Sequence, residues 1–196
     1  MTESETMQWP YSWSPDGKVL AVVEFARVGP HDISMLPLDA QSLSSARGTT
    51  EPFITSTSFR EGRPRFSPDW RFVAYESDES GQFEIYVRSF PESGGTWQVS
   101  NGGGEAPHWS PKGGELFYRS GSTFMAVTYS ADGDTFRPAA PHALFEGVFV
   151  SQRNYRWYDV FPDGEHFLMM QTVGENQPVF IVNWFEELKH LVPTDN

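Results

Sequence analysis

The chain has 196 residues, carries a formal net charge of −12 at pH 7 and contains no cysteine. Its acidity argues against a nucleic-acid partner, since an acidic surface repels phosphate groups. The lack of cysteine excludes disulfides, thiol nucleophiles and cysteine-bound zinc. Aromatic residues make up 15% of the chain, and 17 glycines and 15 prolines supply many turns, a composition typical of an all-β protein.

The ends and the apolar runs of the chain bear on its location. No apolar run approaches the roughly 20 residues of a membrane span. The first five residues are acidic and polar, whereas a secretory signal begins basic and continues apolar. We therefore expect no membrane span and a cytoplasmic location for the chain as given, or a periplasmic or extracellular location if it is a piece of a longer precursor.

A short turn sequence built around proline occurs four times. The four prolines are Pro15, Pro68, Pro111 and Pro162. They lie 53, 43 and 51 residues apart, and a period of roughly 40–50 residues predicts blade-like repeats. Proline presets φ at the first central position and Gly closes the turn in the left-handed conformation, although Trp70 replaces that Gly in the second copy. The residue before the Ser of the turn is aromatic in three copies (Trp13, Phe66 and Trp109), and we expect it to pack between neighbouring repeats.

The runs of β-forming residues between these turns predict short strands. In the first repeat they are 10–13, 19–25, 32–38 and 51–55, and in the second 63–66, 71–76, 84–90 and 96–100. In the third they are 106–110, 115–119, 123–129 and 143–146, and in the fourth 158–161, 165–171 and 178–184. Strand 19–25 is almost continuously apolar, which predicts burial on both faces. Residues 130–142 are interpreted as a long loop with an acidic turn.

The predicted organisation has three parts. An N-terminal tail covers residues 1–8, and the repeats cover 9–184, as segments 9–55, 63–100, 106–146 and 157–184. A C-terminal helix and tail cover 185–196, because Phe185, Leu188 and Leu191 recur on one side of a helix. We expect this helix to pack on the sheet beside it.

The repeat resembles a known family at its turn. The nonapeptide from Trp13 to Ala21 follows the pattern Trp-Ser-Pro-Asp-Gly-Lys-x-Leu-Ala, which is similar to the TolB-type β-propeller repeat, also called the WD40-like or PD40 repeat. Residues 75–87 are similar to the strand, tight turn and strand of the same family. The resemblance covers about residues 9–185 and implies an all-β propeller. Similar repeats occur in periplasmic scaffold proteins of bacteria, in kinase-linked sensor domains and as gating domains of serine peptidases.

Four repeats leave the closure of the ring open. Relatives with this repeat usually have six or more blades, and closed rings of four to eight blades are physically allowed. The chain is therefore expected to close as a four-bladed ring, to form half of a larger ring that a homodimer completes, or to be part of a longer protein. An open half-ring would expose strand edges and apolar faces, which favours pairing with a second copy.

A polar column is predicted on the innermost strands. The residues three positions before the four prolines are Ser12, Arg65, His108 and Asp159. Inner strands line the central channel of a propeller, so equivalent positions should form a ring. The alignment of the first repeat is uncertain by one residue, which makes Tyr11 the substitute for Ser12. Glu61 and Glu105 stand just ahead of two inner strands and are expected to add acceptors at the channel mouth.

Two functions suit this column. In the first, Arg65, His108, Asp159, Glu61 and Glu105 bind a protein partner or a small polar ligand without catalysis, and this is the function we expect. In the alternative, Ser12, His108 and Asp159 act as nucleophile, base and orienting carboxylate of an esterase- or peptidase-like hydrolase. The chain has no Gly-x-Ser-x-Gly elbow, which excludes an α/β-hydrolase. Its histidines lack ligand spacing, and we expect no metal and no cofactor.

Overall fold

The structure, a computed structural model, describes residues 6–25, 29–39, 48–91, 94–149, 158–173 and 177–181. Within these ranges it contains sixteen β-strands and no helix, which confirms the predicted all-β class. No helix of this part of the chain is long and apolar enough to cross a membrane. The helix predicted within 185–196 lies outside the described residues.

The strands form four antiparallel sheets in chain order. Sheet 1 contains β1 (Met7–Trp13), β2 (Val19–Phe25), β3 (His31–Pro37) and β4 (Glu51–Ile54). Sheet 2 contains β5 (Glu61–Phe66), β6 (Phe72–Ser77), β7 (Glu84–Ser89) and β8 (Thr96–Gln98). Sheet 3 contains β9 (Glu105–Trp109), β10 (Glu115–Ser120), β11 (Thr123–Asp132), β12 (Thr135–Pro138) and β13 (His142–Glu146). Sheet 4 contains β14 (Tyr158–Val160), β15 (Phe167–Val173) and β16 (Gln177–Ile181).

The central sheets are buried on both faces. Every residue of β6 is buried, and successive side chains of a strand point to opposite faces. Val73 and Tyr75 accordingly pack in an apolar cluster shared with sheet 1, while Phe72 and Ala74 pack in a second cluster shared with sheet 3. A third cluster joins sheet 3 to sheet 4. The sheets are therefore stacked face to face through continuous apolar layers.

The proline turns share one hydrogen-bond plan. In all four, the N–H two residues after the proline donates to the carbonyl just before it, at 2.8–3.1 Å. In the second copy the buried Ser67 hydroxyl donates to Asp69 Oδ1 at 2.7 Å and accepts from the Phe72 N–H at 3.0 Å. Trp70 adopts a φ of 69°, which is the left-handed conformation that the turn requires and that Gly adopts at least cost. The turn geometry thus persists where its sequence is degenerate.

The predicted packing of the turn aromatics holds for two of the three. Phe66 is 7% exposed and faces sheet 1, and Trp109 is 4% exposed and faces sheet 2. Val160, at the same position of the fourth repeat, packs against sheet 3. The prediction is wrong for Trp13, which is 59% exposed. Each of these side chains packs on the preceding sheet, and no sheet precedes Trp13 in the described residues.

Residues 130–142 do not form the predicted loop. Strand β11 continues to Asp132 and pairs with β12, with Gly133 in the turn at a φ of 56°. The apolar side chains of this hairpin, which include Tyr129 and Phe136, pack in the cluster between sheets 2 and 3. Burial of these alternating side chains explains why the chain extends here although the acidic turn residues suggested a loop.

The first strand also begins earlier than predicted. Met7 and Gln8, placed in the N-terminal tail, belong to β1 and pair with Phe25 and Glu24. The Gln8 amide donates to Glu24 Oε1 at 2.9 Å. This polar cross-strand contact extends the strand beyond its apolar segment.

Candidate functional site

The innermost strands of successive sheets are linked by hydrogen bonds between the predicted column and its neighbours. Between sheets 1 and 2, the Phe66 N–H donates to Ser12 Oγ at 3.2 Å and Arg65 Nη1 donates to the Tyr11 carbonyl at 3.0 Å. Between sheets 2 and 3, Trp109 Nε1 donates to the Arg65 carbonyl at 2.8 Å. Strands β1, β5 and β9 therefore follow one another along one side of the molecule.

His108 and Asp159 meet across the boundary between sheets 3 and 4. His108 Nε2 lies 3.1 Å from Asp159 Oδ1, and His108 Nδ1 lies 2.9 Å from the carbonyl oxygen of Trp109. Both partners can only accept hydrogen bonds, so each contact needs an N–H on the ring nitrogen that faces it. The His108 side chain is 17% exposed and that of Asp159 is 48% exposed. The pair thus presents the carboxylate to solvent, with a partly buried imidazole behind it.

Ser12 makes its hydrogen bonds away from this pair. Its Oγ accepts from the Phe66 N–H and lies 3.4 Å from the Trp13 carbonyl oxygen as donor. A serine nucleophile needs a base nitrogen within about 2.6–3.2 Å, and both ring nitrogens of His108 already face other acceptors. Of the three residues of the predicted triad, the structure brings His108 and Asp159 together and holds Ser12 against sheet 2.

Tyr11, the substitute for Ser12, lies half-buried at the boundary of sheets 1 and 2. Burial raises the pKa of its phenol, while the nearby guanidinium groups of Arg63 and Arg65 oppose that rise. The phenol therefore stays neutral at physiological pH, and its hydroxyl is a donor rather than an anion.

Glu61 differs from the rest of the predicted site. It opens β5 and is only 3% exposed, yet no group of the described residues hydrogen-bonds to its Oε2. Burial raises the pKa of Glu61 to about 8, and the negative charges of Asp32, Glu79 and Asp78 add to the rise. The carboxyl is therefore mostly protonated at pH 7. It borders pockets between sheets 1 and 2.

Glu105, the other predicted acceptor, begins β9 and is paired in the sheet with Arg119 of β10. Burial lowers the pKa of the Arg119 guanidinium, and the Glu105 carboxylate opposes that effect. Glu105 is therefore compensated by a cation of its own sheet, in contrast to Glu61.

A buried ion pair lies close to the column and was not predicted from the sequence. Arg63 Nη1 lies 3.3 Å from Glu76 Oε2, and both side chains are buried. The same Glu76 oxygen accepts the Ala106 N–H at 3.1 Å, which connects sheets 2 and 3. Arg63 and Ala106 both stand five residues before a turn proline and both have positive φ, 50° and 56°. The residues at this position of the four repeats are of different types, so the sequence carried no signal for the ion pair.

The described residues offer little for a metal. No three His, Asp or Glu side chains among them lie close enough together to hold a metal ion. The arrangement can instead exchange hydrogen bonds and charge with a ligand through Arg65 and the His108–Asp159 pair.

No family model matches the chain. An uncharacterised protein of Agrobacterium fabrum is 31% identical over 133 residues, which cover 67% of this chain and 39% of that protein. Among solved structures, TolB of Acinetobacter baumannii is similar with a TM-score of 0.58 at 17% identity, over 88% of this chain and 39% of that one. The fold is a TolB-like β-propeller.

An enzyme shares this fold. The periplasmic gluconolactonase of Pseudomonas aeruginosa is similar with a TM-score of 0.53 at 13% identity, over 88% of this chain and 56% of that one. A β-propeller can therefore carry either binding or catalysis, and function has to be argued from the site. The chain spans about two fifths of the length of the Agrobacterium protein and of TolB.

Proposed function

We propose that this chain is a non-catalytic binding module, which binds a protein segment or a small polar ligand at the channel mouth through Arg65, His108 and Asp159. The contacts of His108 carry the proposal. Its Nδ1 faces the Trp109 carbonyl and its Nε2 faces Asp159, which leaves no ring nitrogen to remove a proton from a nucleophile.

The chemistry of the three groups suits a ligand with both donors and acceptors. Asp159 accepts hydrogen bonds and is half-exposed, whereas the guanidinium of Arg65 only donates. His108 orients the Asp159 carboxylate from behind. A hydroxyl-rich or peptide-like ligand offers both kinds of group, and the resemblance of the repeats to periplasmic scaffold proteins favours a protein partner.

A hydrolase is the second candidate, because two of its three proposed residues form a pair. His108 and Asp159 lie in hydrogen-bond contact, and Ser12 lies on another inner strand. This function requires the His108 ring to turn so that one nitrogen faces a nucleophile. The fold is compatible with it, since a gluconolactonase has a similar one.

Assembly and location belong to the same proposal. The exposed Trp13 lies where the other repeats pack on a preceding sheet, which supports completion of a larger ring, by a second copy or by further repeats of a longer protein. The name of the Pseudomonas gluconolactonase places that protein in the periplasm. A periplasmic location would suit this chain if it is a piece of a longer precursor.

The test combines turnover with binding. The purified chain is incubated with short-chain aryl esters, amino-acid anilides and sugar lactones, beside His108→Ala and Ser12→Ala. A thermal-shift screen of sugars, sugar acids and short peptides follows, with Asp159→Asn as the site variant. Asp163→Asn is the matched control, because Asp163 also contacts a histidine, at 2.5 Å, but lies in the exposed turn of sheet 4.

We expect no turnover, and a ligand that raises the melting temperature of the wild type and of Asp163→Asn but not of Asp159→Asn. Turnover that disappears in both His108→Ala and Ser12→Ala, while these variants stay folded, would replace the binding function by the hydrolase. Ligand shifts that are equal in Asp159→Asn and the wild type would remove the binding site from the channel mouth.

A further inference from the structure

A second pocket lies between sheets 1 and 2. Its volume is about 500 Å³, and small-molecule sites usually measure roughly 300–1,000 Å³. Ile54 and Phe59 contribute apolar wall, Tyr75 and Tyr86 contribute aromatic wall, and Glu61 and Arg88 contribute an acidic and a basic side chain. The pocket is thus large enough for a small organic molecule and combines apolar surface with a carboxyl and a guanidinium group.

The acidic side of this pocket has an unused acceptor. Glu61 is almost completely buried, and its Oε2 has no hydrogen-bond partner among the described residues. Burial of a polar group without a partner costs free energy, and a folded protein normally avoids that cost. A cationic donor placed in the pocket would supply the missing contact.

The basic side has an unused donor. Nε of Arg88 is buried and also lacks a hydrogen-bond partner in the described part of the chain. Its guanidinium carbon lies 5.3 Å from the centroid of the Phe53 ring, a contact that holds the cation without using its hydrogen bonds. Glu61 and Arg88 form no ion pair with each other, although both border the same pocket. One carboxyl oxygen of Glu61 and one guanidinium nitrogen of Arg88 therefore both lack a hydrogen-bond partner beside the same cavity.

We propose that this pocket binds a small zwitterion of the amino-acid class, with its ammonium group toward Glu61 and its carboxylate toward Arg88. The rings of Tyr75 and Tyr86 stack on each other with centroids 5.7 Å apart and, with Ile54 and Phe59, suit an apolar side chain. The site is separate from the His108–Asp159 pair and does not depend on it.

Other charges surround Glu61 and shape the pH dependence of binding. They are Asp32 of β3, Arg60 of the β4–β5 loop, Asp78 and Glu79 of the β6–β7 turn, Arg88 of β7, and the phenols of Tyr75 and Tyr86. Arg60 is paired with Asp78 at 2.8 Å, so its positive charge is offset and the net charge near Glu61 stays negative. Because the pKa of Glu61 is raised to about 8, binding of an ammonium group at pH 7 should release about one proton.

The experiment uses the whole chain and titration calorimetry. The common L-amino acids and the straight-chain ω-amino acids are tested one at a time. The strongest binder is then compared with the amine that lacks its carboxylate and the acid that lacks its ammonium group. We expect the zwitterion to bind at least tenfold more tightly than either analogue, and Glu61→Gln and Arg88→Gln each to weaken it at least about tenfold. Glu146→Gln, an exposed carboxylate of sheet 3, is the control and should bind as the wild type does.

Two further readouts separate the outcomes. Titrations in buffers of different ionisation enthalpy should show proton release by the wild type at pH 7 and none by Glu61→Gln. Asp159→Asn should keep the full affinity, so a failure of the channel-mouth site leaves this result unchanged. The proposal is overturned if none of the amino acids binds, if the amine or the acid alone binds as tightly as the zwitterion, or if Glu61→Gln retains wild-type affinity.

Discussion

The buried Glu61 makes a strong prediction about stability, independent of any ligand. Its pKa is about 8 in the folded protein against an ordinary value of 4.5, so the folded state resists ionisation more than the unfolded chain does. For such a group, stability is fully present below pH 4.5 and declines as the pH rises toward 8. The replacement Glu61→Gln keeps the shape of the side chain and removes the titration.

The magnitude follows from the two pKa values. Each pH unit between them costs the wild type about 1.4 kcal/mol, so by pH 7 the loss reaches about 3 kcal/mol relative to a neutral residue. Glu61→Gln should therefore match the wild type near pH 4 and exceed its free energy of unfolding by about 3 kcal/mol at pH 7. Above pH 8 the difference should stop growing.

Urea unfolding at a series of pH values measures this difference directly. Glu146→Gln serves as the control, because its carboxylate is exposed, and its free energy of unfolding should stay within about 0.5 kcal/mol of the wild type at every pH. A constant difference between Glu61→Gln and the wild type across the pH series would refute the reasoning, since it would mean that Glu61 ionises as easily in the folded protein as in the unfolded chain.

Two further predictions test the packing and the turns. Trp109→Ala should lower the free energy of unfolding by about 3–5 kcal/mol, because Trp109 is buried. Trp13→Ala should lower it by less than about 1 kcal/mol, because Trp13 is exposed. Equal losses of the two variants in urea unfolding would show that a further sheet covers Trp13 in solution. Ser67→Ala should cost about 1–3 kcal/mol, because it leaves the buried Phe72 N–H without its side-chain acceptor. In the same assay Ser122→Ala, at an exposed turn position of sheet 3, should stay within about 0.5 kcal/mol, and a similar loss in both variants would contradict the role given to Ser67.

Much of the fold could be predicted because its signals are local. Strand β2 covers the predicted residues 19–25, and its central residues Ala21, Val22 and Val23 are buried as expected. Proline, Gly and alternating apolar residues act over a few positions, so they fix turns and strand faces without knowledge of distant contacts. The strands within residues 130–142 were not predicted from such local signals, because the hairpin there is stabilised by packing on another sheet.

The candidate site could be predicted only in part. The repeat spacing placed His108 and Asp159, 51 residues apart, at equivalent positions, and the structure joins them at 3.1 Å. The spacing could not show that Nδ1 of the same ring turns to the Trp109 carbonyl. Repeat register locates a backbone position, whereas the rotamer depends on the neighbouring strands.

The sequence by itself therefore determined the repeat, its proline turns and most of the strands, since each follows from residue types at short spacing. Only the tertiary structure decided that Trp13 is exposed, that Ser12 contacts sheet 2, and that Glu61 is buried without a partner for one of its oxygens. These properties depend on which sheet covers a side chain and on whether a group distant in sequence reaches it. Burial and charge compensation arise from the stacking of the sheets and are not encoded at any single position.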